Sequence, residues 1–283
     1  MMDKFFIAFQ NIVPQHALSR LTGWLAEVKW TWLKNILIKL FIGQYQVNMD
    51  EALYPNATDY KNFNDFFTRE LKPGQRPLAN ASQHILSPAD GAISQLGIID
   101  ETQRIVQAKN HMYSAAELLA DAESAEKYAN GAFMTVYLSP KDYHRVHMPL
   151  SGRLISARYV PGDLFSVNEV TANNVPNVFA RNERLVCLFE TELGEVAVIM
   201  VGAMIVAGIE TPWAGRMTPT KPYHYSADDT GNSSAIELEA GAELGRFHLG
   251  STAIMLFQPQ QIEWLDGLQS GSKLKMGEAI ARR

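Results

Sequence analysis

The chain has 283 residues, 47% of them apolar and 19% charged, which is ordinary for a globular protein with one large or two modest domains. A net charge of −5 argues against a general nucleic-acid role. The single cysteine, Cys187, rules out a disulfide framework; it lies in an apolar run and reads as a small core residue, in keeping with a reducing compartment.

The charge is uneven along the chain. Residues 1–45 carry Lys4, Arg20, Lys29, Lys34 and Lys39 against Asp3 and Glu27, a net +3 that leaves −8 for the remainder. This marks residues 1–45 as a region distinct from a body spanning 46–283. Phe5–Phe9 is too short to span a bilayer, and Pro14 interrupts the chain soon after it. From Leu18 to Phe41 the spacing predicts an amphipathic helix. Leu21, Leu25, Val28, Trp32, Ile36 and Leu40 share one broad face, with Lys29, Lys34 and Asn35 on the polar side. Such a helix packs on its own domain or lies in a lipid surface. Three of the five tryptophans, Trp24, Trp30 and Trp32, fall here, and with the lysines they favour the lipid surface. No apolar stretch approaches the roughly 18–20 residues of a spanning helix. No small-residue cleavage site follows the first apolar run, so no secretory signal is expected.

Beyond Gly43 the chain reads as loop, then as a short helix over Phe63–Phe67 that ends before Lys72-Pro73-Gly74. Strand signals come next at 91–99, 132–138, 152–160, 184–191, 195–201, 235–238 and 252–257, with helical stretches at 114–119 and 122–129. The fold class is therefore α+β, a mainly antiparallel β-core preceded by N-terminal amphipathic helices. Residues 162–184, rich in Asn and Pro, read as a long surface loop.

Three places combine reactive side chains with turn chemistry. Ser87-Pro88-Ala89-Asp90-Gly91 places an acid in a turn before a strand. Asp142-Tyr143-His144-Arg145-Val146-His147-Met148-Pro149 holds two histidines three residues apart; with no third and fourth ligand in view, no metal is expected there. The third is Gly245-Arg246-Phe247-His248-Leu249-Gly250-Ser251-Thr252, at the mouth of an apolar run. There the Ser251 hydroxyl lies one residue from the Gly250 carbonyl, and glycine puts no side chain in the way. A base that takes the Ser251 proton lets the oxygen add to that carbonyl, turning amide into ester and breaking the chain. An Asp, a His and a Ser also suit a nucleophilic triad, but order along the chain does not establish one, and a Ser-His-Asp hydrolase stays open.

These stretches together resemble the phosphatidylserine decarboxylase family, in its bacterial, membrane-associated, pyruvoyl-dependent type. Phe66-Phe67-Thr68-Arg69-Glu70-Leu71-Lys72-Pro73-Gly74 and Phe179-Ala180-Arg181-Asn182-Glu183-Arg184 carry the same resemblance, which runs from about residue 60 to 257. The first 45 residues match in character rather than in motif. The resemblance implies that Asp90, His147 and Ser251 form a self-processing triad that cleaves between Gly250 and Ser251. A large β chain, residues 1–250, and a small α chain, residues 251–283, would result. The cofactor implied is a covalent pyruvoyl group made from Ser251, which forms a Schiff base with the substrate amine. His144 corresponds to the histidine of the decarboxylation step, where it is the candidate general acid. The family further implies phosphatidylserine in the bilayer as substrate, with phosphatidylethanolamine and carbon dioxide as products. It also implies peripheral attachment to the cytoplasmic face of the bacterial inner membrane through residues 1–45, and a homodimer.

Overall fold

The computed structural model describes residues 2–108, 111–204, 208–227, 235–248 and 251–283. Three helices come first: α1 (Met2–Ile12), α2 (Gln15–Ala26) and α3 (Thr31–Tyr45). The short helix α4 (Phe63–Phe67) comes after them, capped by the Asn62 side chain, which accepts from the Asp65 N–H. Ten strands position the site: β1 (Gly91–Ile98), β2 (Ala132–Leu138), β3 (Arg145–His147), β4 (Gly152–Val160), β5 (Arg184–Thr191), β6 (Gly194–Gly202), β7 (Ile209–Thr211), β8 (Gly215–Met217), β9 (Glu243–Phe247) and β10 (Ser251–Phe257).

The principal sheet runs β4–β5–β6–β10–β2–β1, extended by His224–Ser226 beside β4 and Lys273–Leu274 beside β1. Its ladders are antiparallel. Both faces are covered, so β10 is buried along its whole length. Ala253, Met255 and Phe257 point to one core; Ile254 and Leu256 point to the other. A smaller antiparallel sheet, β8–β7–β9–β3, lies over the first face and contributes Val146, Ile209, Leu244 and Phe247 to that core. Gly245 lets it approach: a Cβ there would sit 2.6 Å from the Glu210 carbonyl oxygen and 3.0 Å from the Met200 sulfur.

Several expectations change in the fold. The helix over 18–41 is two helices, broken at Glu27–Trp30. The Glu27 carboxylate accepts from the side chains of Asn62 and Asn64, each at 2.7 Å, which pins the break against α4. Lys34 is not on the outer polar side. It is buried, and its ammonium donates to Asn35 Oδ1 and to the Ala57 carbonyl at 2.7 and 3.2 Å. Residues 162–184 do not form a surface loop. They make two short helices, Glu169–Asn174 and Val178–Arg181, and bury Phe165, Val175 and Phe179 in the second core. Side chains take over the backbone pairing that regular structure would supply. Gln107 Nε2 donates to the carbonyls of Ala172 and Val175, both at 2.8 Å, and its Oε1 accepts from the Val178 N–H. Asn182 serves the Phe165 N–H, the Phe165 carbonyl and the Gly202 carbonyl in the same way. The helical stretch at 122–129 ends at Glu126, and the strand at 235–238 shortens to Glu237–Leu238.

Thirteen large apolar side chains are exposed among the described residues, and nine belong to residues 1–45. Leu21, Trp24, Trp32 and Leu40 are each more than 60% exposed, so the apolar stripe faces outward instead of onto the body. Among the described residues no helix is long and apolar enough to cross a membrane.

Gln107→Ala orphans three buried backbone groups at once. Its expected effect is a loss of about 3 kcal/mol, the penalty for unsatisfied buried polar groups, seen as a lower urea midpoint. A midpoint equal to wild type would remove Gln107 as the tie that holds this segment.

Candidate active site

Ser251 is the first residue of β10. Its sheet neighbours are Leu138, the last residue of β2, and Gly202, the last of β6. Three strand ends therefore meet at one edge. Alternation along β10 turns the Ser251 side chain to the same face as Ala253 and Met255, toward the small sheet. The residue is 1% exposed and its hydroxyl has no hydrogen-bond partner among the described residues. A buried orphan hydroxyl is unfavourable by about 1–3 kcal/mol and asks for a chemical reason. Leu249 and Gly250, with the carbonyl of the expected scissile bond, lie outside the described residues.

His147 ends β3. Its N–H donates to the Pro88 carbonyl at 2.7 Å, which holds the Asp90 turn against the strand. Its Nδ1 lies 2.8 Å from the Gly241 carbonyl oxygen. That oxygen only accepts, so Nδ1 carries the proton and Nε2 the lone pair, which accepts from the Tyr143 hydroxyl at 3.1 Å. Burial holds His147 below its ordinary pKa. The Gly241 carbonyl and the charges of Glu243 and Asp90 oppose that shift, and Arg145 reinforces it. Burial also pushes the Tyr143 hydroxyl up to about 12, so it remains a donor.

Asp90 is brought beside His147 but bonds elsewhere. Oδ1 accepts from Arg76 Nε at 2.8 Å and from the Met276 N–H at 2.9 Å, and Oδ2 accepts from Arg76 Nη2. Neither oxygen meets an imidazole nitrogen; Asp90 acts on His147 through its charge. Arg76 is in turn shared with Glu51, which makes a compact buried ion cluster.

His144 is fully buried. Its Nδ1 donates to the Asp142 carbonyl at 2.8 Å, its ring lies 4.0 Å from that of Phe67, and its Nε2 has no partner among the described residues. Burial, and then the nearby Arg69 charge, lower its pKa to about 3. The imidazole is therefore neutral at physiological pH, and Nε2 is an acceptor that must first take a proton before it can give one. The His144 carbonyl accepts from the Phe247 N–H at 3.1 Å, which ties this segment to the strand leading to Ser251. Ser251 is hydrogen-bonded to neither histidine.

Sequence reasoning singled out none of Tyr143, Arg69, Phe67, Arg76 or Gly241. The first three sit inside quoted motifs, so a signal was present. Arg76 and Gly241 carry none, because they reach Asp90 and His147 from 14 and 94 residues away.

His144 binds no proton in the native state until about pH 3, whereas the unfolded chain binds one below its ordinary 6.5. The unfolded state thus holds more protons in this window, and stability falls as pH drops from 6.5 toward 3. His144→Asn should show a shallower fall of the urea midpoint between those limits than wild type. Equal slopes would mean that His144 titrates normally in the fold.

A family profile described as phosphatidylserine decarboxylase matches residues 63–282, and one described as PSD matches residues 5–46. The second match extends the resemblance into the N-terminal helices, beyond its expected start near residue 60. The phosphatidylserine decarboxylase proenzyme of Ectopseudomonas mendocina is 56% identical over 285 residues, 99% of this chain and 98% of that protein. The corresponding proenzyme of Pseudomonas entomophila is 56% identical over 286 residues and that of Saccharophagus degradans 54% over 282, with the same shares of both chains covered. A chain with the antiparallel α+β core, the buried Ser251 and its two histidine-bearing segments, and likeness of this extent along its whole length, belongs to the phosphatidylserine decarboxylase family.

Proposed function

We propose that this chain is a self-processing decarboxylase that converts phosphatidylserine to phosphatidylethanolamine and carbon dioxide at a bilayer surface, with a pyruvoyl group made from Ser251. One observation carries the reading: in a chain of this family, Ser251 is a buried serine with an unpartnered hydroxyl at the start of an interior strand. That is a dry place in which a hydroxyl can be activated without competition from water. The residues around it suit a carbonyl formed at position 251, since no partner among the described residues competes for the oxygen.

In self-cleavage His147 is the base. Its Nδ1–H is held by the Gly241 carbonyl, the tautomer in which Nε2 accepts, and the Asp90 charge favours the imidazolium that results. The Tyr143 hydroxyl occupies Nε2 in the uncut chain and must swing aside. The Ser251 oxygen adds to the Gly250 carbonyl carbon and the C–N bond breaks as the ester forms. β-Elimination then separates residues 1–250 from 251–283, leaving the carboxylate on Gly250 and a dehydroalanine at 251. The imine tautomer of that residue takes up water and releases its nitrogen as ammonia.

A ketone at position 251 would supply an electrophile for the substrate amine and a sink for the electron pair left when the carboxylate departs. His144 moves the proton at the α-carbon through Nε2. Burial is the first cause of its lowered pKa and Arg69 the second; negative charge on the arriving lipid headgroup offsets the second and raises the basicity of His144. Phe67, whose ring packs on His144, also lines an apolar cavity of about 540 Å³ with Leu25, Leu37, Leu40, Phe41 and Phe63. Hydrocarbon fits that lining. The outward Trp24, Trp30, Trp32 and Leu40 make residues 1–45 the part that enters the lipid surface, giving peripheral attachment.

Ser251→Ala should remain a single full-length, inactive chain; a small fragment in that variant would overturn the cleavage site. His147→Ala should stay uncut on a denaturing gel. His144→Ala should cut yet lose decarboxylation, and its arrest as a precursor would defeat the division of labour between the histidines. Replacing Trp24, Trp32 and Leu40 together by Ser should lower co-sedimentation with phosphatidylserine-containing vesicles by about tenfold or more, from the apolar area withdrawn from lipid. Unchanged pelleting would exclude α2 and α3 as the lipid-binding surface.

A further inference from the structure

Removing a carboxylate as carbon dioxide and replacing it with hydrogen consumes one proton per turnover. The proton must come from water, yet Ser251 and His144 are both sealed, at 1% and 0% exposure, and His144 is held neutral. The structure offers one route. Pairing across β5, β6 and β10 aligns Glu183, Gly202 and Ser251 in a row: the Gly202 N–H donates to the Glu183 carbonyl at 2.9 Å, and Gly202 is the register partner of Ser251. Leu185, Met200 and Ala253, two residues along each strand, point into the same core, so Glu183 and Ser251 share a face with a glycine between them.

The missing side chain at Gly202 is filled from one side. A Cβ there would meet Glu183 Cγ at 3.0 Å and Oε1 at 3.3 Å, so the Glu183 carboxyl leans over the glycine toward residue 251. Glu183 also lines a cavity of about 600 Å³ whose wall includes the polar side chains of His16, Arg20, Glu27, Arg216 and Thr218. Its Oε2 accepts from the Tyr159 hydroxyl at 2.8 Å.

We propose that Glu183 is the proton-relay residue of the decarboxylation, taking protons from water in this cavity and passing them over Gly202 to the site at residue 251. The inference rests on the reading given under Proposed function. In each turnover the Cα–carboxylate bond breaks, carbon dioxide leaves, and the electron pair on Cα receives a proton. The last hand-over is that of His144 Nε2, and Glu183 refills the site and regains its own proton from the cavity. Its environment suits the task. Burial pushes the carboxyl up to about 7, opposed by the Tyr159 hydrogen bond, so both forms are populated near neutrality. The charged and titratable groups that face it are Tyr159 on β4, His16, Arg20 and Glu27 at α2, and Arg216 on β8, which donates to Glu27 at 2.9 Å.

Glu183→Gln tests this in the full chain. It should still cut into two chains, while phosphatidylserine decarboxylation in vesicles falls about 100-fold, the range of general acid catalysis. The wild-type rate should decline as pH rises through about 7, where Glu183 loses its proton, and the variant should lack that limb. Tyr159→Phe, which removes the bond favouring the ionised carboxyl, should move the limb to higher pH. Infrared spectroscopy of the uncut Ser251→Ala chain should find a protonated carboxyl band that titrates near 7, vanishes with Glu183→Gln and shifts upward with Tyr159→Phe. If Glu183→Gln does not fold, the Tyr159→Phe shift decides the matter. A rate within about threefold of wild type with an unchanged pH limb, or no titrating band, overturns the relay. A wild-type chain that neither cuts nor releases carbon dioxide overturns the underlying reading instead.

Discussion

β10 is paired to β2 on one side and to β6 on the other from its first residue to its last, and both of its faces are buried. This double ladder is the constraint on which the site depends. It sets Ser251 at a fixed height against Leu138 and Gly202, with its side chain shut off from outside solvent. It also answers a difficulty in the proposed cleavage: a short C-terminal chain starting at Ser251 stays in place through two full ladders and the core contacts of Ala253, Met255 and Phe257. A one-residue slip would turn Ser251 to the opposite face, so the register is enforced by every apolar side chain in the strand.

Over this edge the small sheet suspends the two histidines in unlike settings. His147 is oriented by a backbone carbonyl and keeps an aspartate charge near. His144 is sealed beside an aromatic ring and a buried guanidinium, which strips it of its proton. Three residues of chain thus separate an imidazole oriented by a carbonyl, with acidic charge near it, from one held neutral by burial and a guanidinium. The difference arises from burial and neighbouring charge, not from residue type.

The N-terminal helices obey a different rule. They bury Ala26 and Ile38 against α4 and leave tryptophans and leucines outside. The apolar cavity they enclose ends at Phe67, the ring that touches His144. The exposed apolar surface and the strand-end site are therefore joined by one aromatic side chain, so that the proposed bilayer contact lies next to the proposed chemistry.

Legibility in the sequence tracked the range of the interaction. Strands 132–138, 152–160 and 184–191 and the helix Phe63–Phe67 could be read to the residue, because alternation, capping and turn residues act over a few positions. The motifs around Asp90, His144, His147 and Ser251 were legible for the same reason, as was the family to which they point. The short strands of the small sheet were not, since three residues hold too little pattern and their pairing partners lie far along the chain. Residues 162–184 looked like a loop because their backbone is satisfied by Gln107 and Asn182 side chains instead of by a ladder. Composition and local pattern determined which segments form the long strands and which reactive residues sit together in motifs. Only the tertiary structure decided that Asp90 bonds Arg76, that Gly241 orients His147, that Lys34 is buried and that Glu183 stands across a glycine from Ser251, because each depends on a distance between segments that no local preference encodes.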